Sequence, residues 1–434
     1  MGNHVNGKLG FWTNANSSTN DGSRIYIKDI AAEAKSFLAT AASDTYVGLT
    51  TSLSSEIDAL GTITATNAAN LAEIMSINHI VNSNKYYQIL SIRVMNGSNP
   101  VVSNVSAYAN ANGVVSDEAL SRKVQVRNGT NEFSNSEYIA SLWQFETGND
   151  NTTYITNANT GFYLANVDKG ELVTTETKTY GKNYLFIPGP SGKWCLKDTG
   201  ISGQNCYLNS YYNPTNEDAR NIGYWTNSIY DDGNLFYVKE VTSIPVTISA
   251  VGYATLNLPM AVEKAPGVKA YYGAKDNAST ISLAEISGDV IPANTPVILV
   301  AENALSEATQ FNFNISYDNP GTSPVSNALT GTTCKRKMNE GAPVYVLKNG
   351  NSGIGFYRVD STTDLTLNAN KAYYGNANGS TEVVRFDFGG TTAIEGAPTL
   401  KADDATLYDL NGRRVIYPTT GVYVKSNGEK VFVK

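Results

Sequence analysis

Leu9-Gly10-Phe11-Trp12-Thr13-Asn14 returns later in the chain as Ile222-Gly223-Tyr224-Trp225-Thr226-Asn227. After a short loop the match resumes without a gap, Asp21–Ile30 against Asp232–Val241. Each copy reads as strand, Asp-Gly turn, strand, the pattern of a β-hairpin, because Gly accepts the positive φ a tight turn demands. A hairpin at the start of the chain and again at the close of a later region predicts tandem copies of one domain. Of the first copy only a closing hairpin, residues 1–30, is present.

The 434 residues predict two to four domains, since one core does not grow that large. With 37 glycines and 27 tyrosines the composition is that of an ordinary globular protein leaning towards β structure, because aromatic and β-branched residues suit a pleated surface. A net charge of −7 disfavours nucleic acid, which requires a concentrated basic face, and disfavours a polybasic membrane anchor. No apolar run reaches the roughly 18 residues of a membrane-spanning helix. Met1-Gly2-Asn3-His4 lacks the basic and apolar segments of a signal peptide. An exported protein would therefore be represented here by a mature form or a fragment, and the truncated first hairpin favours a fragment.

Residues 31–81 change character. Ala34, Phe37, Leu38 and Ala41, then Leu53, Ile57 and Leu60, then Ala68, Leu71, Ile74 and Met75 follow helical spacing. They predict a helical hairpin or three-helix spacer that packs on its neighbours. Residues 82–241 return to strands in three units. The first runs from Tyr86-Tyr87-Gln88-Ile89 to Leu142-Trp143-Gln144-Phe145-Glu146, with an insertion between Asn99 and Ser141. The second passes through Gly161-Phe162-Tyr163-Leu164 to Tyr184-Leu185-Phe186, and the third through Cys206-Tyr207-Leu208-Asn209 to Asn234-Leu235-Phe236.

Three units closing on an aromatic strand resemble the β-trefoil of the ricin-type lectin family, whose repeats end in a Gln-x-Trp-like motif packed in a shared core. Leu142-Trp143, Leu185-Phe186 and Leu235-Phe236 are the equivalents here. The resemblance implies a carbohydrate site on the third unit. It assigns Trp225 to stacking on a sugar ring, Asn209 to the hydroxyl-binding position and Asn234 to the closing motif. Asn209 stands where the family usually has Asp. The second unit offers no equivalent aromatic, and its Val173-Thr174-Thr175 reads as inert.

Residues 242–390 predict a β-sandwich, from short strands at 246–249, 254–258, 268–272, 296–300, 310–315, 344–347, 355–359, 371–374 and 383–388, separated by Gly, Asn and Pro clusters. Ser249–Leu256 and Ile291–Val297 resemble a domain found near the C-termini of large surface proteins of anaerobic Gram-negative bacteria. Residues 391–400 read as a linker within a C-terminal segment, 391–434. There Tyr408-Asp409-Leu410-Asn411-Gly412-Arg413, Gly421-Val422-Tyr423 and Lys430–Lys434 resemble the sorting module of type IX secretion. That resemblance implies a secretion machinery as partner and a secreted or cell-surface location.

Catalytic groups are sparse. The two histidines, His4 and His79, sit on no rigid scaffold that would suit a nucleophile–histidine arrangement. Asp231-Asp232 reads as a turn before Gly233, and Asp403-Asp404 lies by the linker, so neither suggests a glycosidase pair. Cys195 and Cys206 allow either a disulfide, worth about 2–3 kcal/mol in an oxidising compartment, or two reduced thiols. Their spacing gives no zinc site, and no metal or cofactor is expected. The expected protein is mainly β and multidomain, a β-trefoil, β-sandwich and small C-terminal β module with a helical spacer. It would bind glycans without catalysis. The alternatives are a non-catalytic C-terminal part of a larger secreted hydrolase, or a structural spacer.

Overall fold

Alternation of inward and outward side chains organises twelve strands that follow position 85. The computed structural model describes residues 2–3, 9–10, 51–62, 70–71, 74, 81–93, 99–103, 124–127, 135–149, 152–168, 171–189, 193–201, 206–211, 219–225, 231–276, 279–338, 343–360, 362, 365–375, 379–388, 407–408, 414–415, 421–425 and 430–433. The strands are β1 (Tyr86–Ser91), β2 (Asn99–Ser103), β3 (Val124–Arg127), β4 (Leu142–Thr147), β5 (Thr153–Asn157) and β6 (Tyr163–Asp168). They continue with β7 (Glu171–Thr175), β8 (Asn183–Pro188), β9 (Trp194–Asp198), β10 (Tyr207–Tyr211), β11 (Ala219–Trp225) and β12 (Phe236–Val241).

Six of them close a barrel. β1 pairs β4, β4 pairs β5, β5 pairs β8, β8 pairs β9, β9 pairs β12, and β12 returns to β1. The other six form three hairpins, β2–β3, β6–β7 and β10–β11. This is the β-trefoil: three four-strand units about a pseudo-threefold axis, with closure leaving no barrel edge exposed.

The register identifies equivalent residues. Trp143, Tyr184 and Phe236 occupy one level, set by the pairs Tyr87↔Trp143, Thr153↔Tyr184 and Trp194↔Phe236, and all three are fully buried. Phe145, Phe186 and Val238 form the next layer of the same core. The sequence pattern puts Phe186 level with Trp143, but that place belongs to Tyr184, two residues earlier. A Tyr can stand there because its hydroxyl meets that of Tyr224 at 3.1 Å. Each unit also carries a side-chain-to-backbone turn after its first strand. The Arg93, Asn159 and Gly200 N–H groups donate to Ser91 Oγ (3.4 Å), Asn157 Oδ1 (3.2 Å) and Asp198 Oδ1 (2.7 Å).

The stretch read as an insertion in the first unit contains the hairpin β2–β3 and a short helix, Asn135–Ala140. The Ser/Asn/Gly-rich residues between β2 and β3 hide that hairpin from a pattern search. Helix α1, Thr51–Ala59, lies in the expected spacer. Its Ile57, together with Leu71, is buried in the trefoil core, with Leu60, Ile74 and Val81 packed alongside. Ala34, Phe37, Leu38 and Ala41 lie outside the described residues, as does most of the first hairpin. The described residues there pair Gly2↔Gly10 and Asn3↔Leu9, the register of Asn209↔Gly223 and Ser210↔Ile222 in β10–β11. The hairpin expected across Asp232-Gly233 is corrected: β11 pairs β10 and β3 while β12 closes the barrel against β9 and β1, so the Asp-Gly stretch is a 3₁₀ connection from an outer hairpin to a barrel strand.

Downstream lies the β-sandwich. Ser243–Ile248 pairs Thr309–Asn314, and nine further strands form a longer sheet. Val297–Ala301 reads as an unbroken apolar run because it is buried on both faces. Val297, Leu299 and Ala301 face Ile244, Val246 and Phe313, whereas Ile298 and Val300 face Tyr345, Phe356 and Tyr374. Ile139 and Leu142 of the trefoil join the first of these clusters. Asn370 Nδ2 donates to Asn159 Oδ1 at 2.8 Å, and Asn159 Nδ2 to the Thr333 carbonyl at 2.7 Å, so a buried polar link joins the two domains. At the C-terminal end, Leu407–Tyr408, Arg414–Val415, Gly421–Lys425 and Lys430–Val433 form a four-stranded antiparallel sheet. The linker at 391–400 lies outside the described residues.

Candidate functional site

Hairpin β10–β11 sets the geometry of the third unit. Tyr207 pairs Trp225 and Asn209 pairs Gly223, so these four share one face of the hairpin. Leu208 and Tyr224 share the other face and enter the core. The chain then turns through a short 3₁₀ segment, Asp232–Asn234, which Asp231 caps by accepting the Gly233 N–H at 2.8 Å. That turn closes over Asn209. A Cβ at Gly233 would lie 2.5 Å from both Arg93 Nη1 and Asn209 Nδ2, so only glycine lets the turn approach.

Asn209 and Asn234 come together and are completely buried. Asn209 Nδ2 donates to Asn234 Oδ1 at 2.8 Å and to Asp231 Oδ1 at 3.2 Å. Asn209 Oδ1 accepts from Arg93 Nη1 at 3.4 Å, and the same nitrogen reaches the Ser210 carbonyl at 3.4 Å. Arg93 Nη1 also lies 3.5 Å from Asp231 Oδ1. The positions that the resemblance gives Asn209 and Asn234 in a binding site are thus occupied by buried amides. Both amides lie beneath the surface and position Asp231 and the Arg93 guanidinium. This also explains why residue 209 is an amide. Its Nδ2 faces two oxygen acceptors, and a carboxylate there would meet Asp231 as a like charge.

Trp225, by contrast, is 56% exposed on the same hairpin face. A flat aromatic surface one diagonal step across the hairpin from Asn209, which holds part-exposed Arg93 and Asp231, can stack on an apolar ring face while charged groups bind its polar edges. Arg93 went unnoticed in the sequence because it lies 116 residues before Asn209 and no local pattern marks it. Only its place after β1, which closes against β12, brings it to the third unit. Asp231 was noticed, but only as a turn residue.

Behind the hairpin, the Tyr224 hydroxyl donates to Asp198 Oδ2 at 2.8 Å, deep in the core. Burial pushes the Tyr184 and Tyr224 hydroxyls well above the usual tyrosine range. Cys195 and Cys206 are buried together with Tyr207 and Leu235 and are not disulfide-bonded. Of the two sequence alternatives the structure has the reduced thiols. Burial pushes the Cys195 thiol up to about 12, which keeps that sulfur protonated near neutrality. His4, His79, Asp403 and Asp404 lie outside the described residues. Among the described residues no group of three His, Cys, Asp or Glu side chains could hold a metal, and no helix is long and apolar enough to cross a membrane.

No known protein family matches the chain, and no curated protein matches it. Solved structures overlay part of it. The designed three-fold symmetric protein ThreeFoil is 13% identical with a TM-score of 0.26, covering 36% of this chain and 99% of its own. The Rhizoctonia solani agglutinin is 14% identical with a TM-score of 0.26, covering 37% of this chain and 97% of its own. A Polyporus squamosus lectin, solved with the human-type influenza-binding epitope Neu5Aca2-6Galb1-4GlcNAc, is 13% identical with a TM-score of 0.25, covering 39% and 52%. The trefoil assignment rests on the strand pairing described above.

Proposed function

We propose that this protein binds carbohydrate through the third trefoil unit, with Trp225 as the stacking platform and Arg93 and Asp231 as its polar rim. The observation that carries the proposal is the exposed Trp225 ring on the hairpin face whose other polar groups are gathered by Asn209 and Asn234. Shallow sites of this kind bind weakly one at a time, and repetition of the domain raises avidity. The role is non-catalytic: the third unit offers a stacking ring and charged rim groups. The C-terminal strands, through their resemblance to the type IX sorting module, support export to the cell surface or beyond and a secretion machinery as partner. A glycan array probed with wild type and Trp225→Ala tests the binding proposal. Loss of the wild-type signals in the variant supports it. No wild-type binding, or unchanged binding by the variant, overturns it.

A further inference from the structure

Resting on that reading of the Trp225 site, we infer that its preferred ligand is an acidic glycan, a pyranoside bearing a carboxylate or sulfate that Arg93 receives. Three observations carry the inference. First, the Arg93 side chain is 41% exposed and its contacts with described residues all run through one nitrogen, at 3.4 Å to Asn209 Oδ1 and the Ser210 carbonyl and 3.5 Å to Asp231. Nε and Nη2, the planar donor fork of this part-exposed side chain, have no partner among the described residues. That fork matches two oxygens of one anion, and its charge persists at every working pH.

Second, the floor of the site is not acidic. Asn209 supplies a neutral amide, which leaves Asp231 as the carboxylate held against Arg93, with exposed Asp232 next in the turn. Asp231 Oδ1 already accepts from Gly233 N and Asn209 Nδ2, which anchors this carboxylate inward. An incoming anion therefore meets a guanidinium whose own partner carboxylate is anchored inward, with exposed Asp232 as the repelling group in the turn. Third, the separation suits a sugar. Asn209, which Arg93 contacts, is diagonal to Trp225 across the hairpin, a spacing of about 7–8 Å between backbones. A pyranose stacked on Trp225 thus brings a ring substituent within reach of Arg93. The other units lack the pair. Their residues at the Trp225 position are Arg127 and Thr175, and at the Asn209 position Val102 and Ala165.

The test is calorimetric titration of the full chain with three matched probes: a galacturonate trisaccharide, a sulfated galactose trisaccharide and the neutral galactose trisaccharide. Wild type is expected to bind an acidic probe about tenfold or more tighter than the neutral one, with the gap shrinking as salt rises. Arg93→Gln brings the ratio of acidic to neutral affinity near one. Arg93→Lys keeps charge without the fork and gives an intermediate ratio. Thermal melts check that each variant is folded. Equal affinity of wild type for all three probes, or a gap that survives in Arg93→Gln, overturns the inference while leaving the Trp225 site standing. Absence of binding to any probe, or binding unchanged in Trp225→Ala, removes the site itself and the inference with it.

Discussion

The second and third trefoil units share one hairpin and differ in what it carries outward. Two inward pairs are equivalent and apolar, Leu164 with Leu208 and Leu172 with Ile222, all buried, while a third sets buried Thr174 against Tyr224. Outward positions diverge, with Ala165 where the third unit has Asn209 and Thr175 where it has Trp225. The second unit has its own exposed aromatic, Tyr180, but on the 3₁₀ turn Lys178–Tyr180 and not on the hairpin. Near that turn Lys178 pairs with Glu146 and stands over the Tyr154 ring at 4.7 Å. The difference teaches that threefold symmetry is held by the core alone. Every inward side chain must fill a shared interior, where a lost methylene is felt, whereas a side chain on the outer face answers to the cover its own unit builds, so that Asn209 is buried beneath the Asp231 turn while Trp225 is exposed. A binding site can therefore arise in one unit while its two siblings remain scaffold.

The comparison can be broken at its deepest level first. Tyr184→Ala in unit two and Phe236→Ala in unit three are each expected to destabilise by about 3–5 kcal/mol, because both empty a fully buried place at one core level. Denaturant unfolding measures this. A loss confined to one unit would deny the equivalence.

A smaller effect separates the units. Tyr224→Phe removes the hydroxyl that serves Asp198 and Tyr184, a loss of about 1–3 kcal/mol on the same assay. Unit one has apolar Val126 at that place, so an unchanged midpoint for Tyr224→Phe would show that the polar network contributes nothing.

The third test sharpens the comparison at the surface. Asn209→Asp sets a second carboxylate beside Asp231 and withdraws the donor from Asn234. Full burial and repulsion by Asp231 raise the folded carboxylate pKa above its unfolded value near 4, against the opposing pull of Arg93, so the folded state holds its proton longer. Stability is then retained below about pH 4 and lost as pH rises through the raised value, by about 1–2 kcal/mol at neutrality. Asn209→Ala, which removes the amide without adding a charge, is the control. Melting temperatures of both variants at pH 4 and pH 7 decide it, and a deficit of Asn209→Asp that grows towards acid would refute the arrangement.

Much of this was legible beforehand. The alternating strands of the sandwich announce themselves, since strand burial imposes period two, whereas the hairpin expected across Asp232-Gly233 joins two strands that pair elsewhere, β11 with β10 and β12 with β1. The level of Tyr184 was not legible. Two aromatics stand close together in unit two, and composition cannot say which faces the axis until pairing with Thr153 and Asp198 fixes it. The hairpin β2–β3 was obscured by the long polar stretch between its strands.

At the candidate site the division is sharper. By itself the sequence determined a β-rich, multidomain chain, a threefold pattern and an unusual Trp at 225, because these follow from local periodicity and repeated residues. Tertiary structure alone decided that Asn209 and Asn234 are buried supports, that Cys195 and Cys206 stay reduced, and that Arg93 reaches the third unit from the first. Those outcomes depend on barrel closure, which brings distant strands within hydrogen-bonding distance and removes neighbouring side chains from water. No property of a residue's sequence neighbours encodes that meeting.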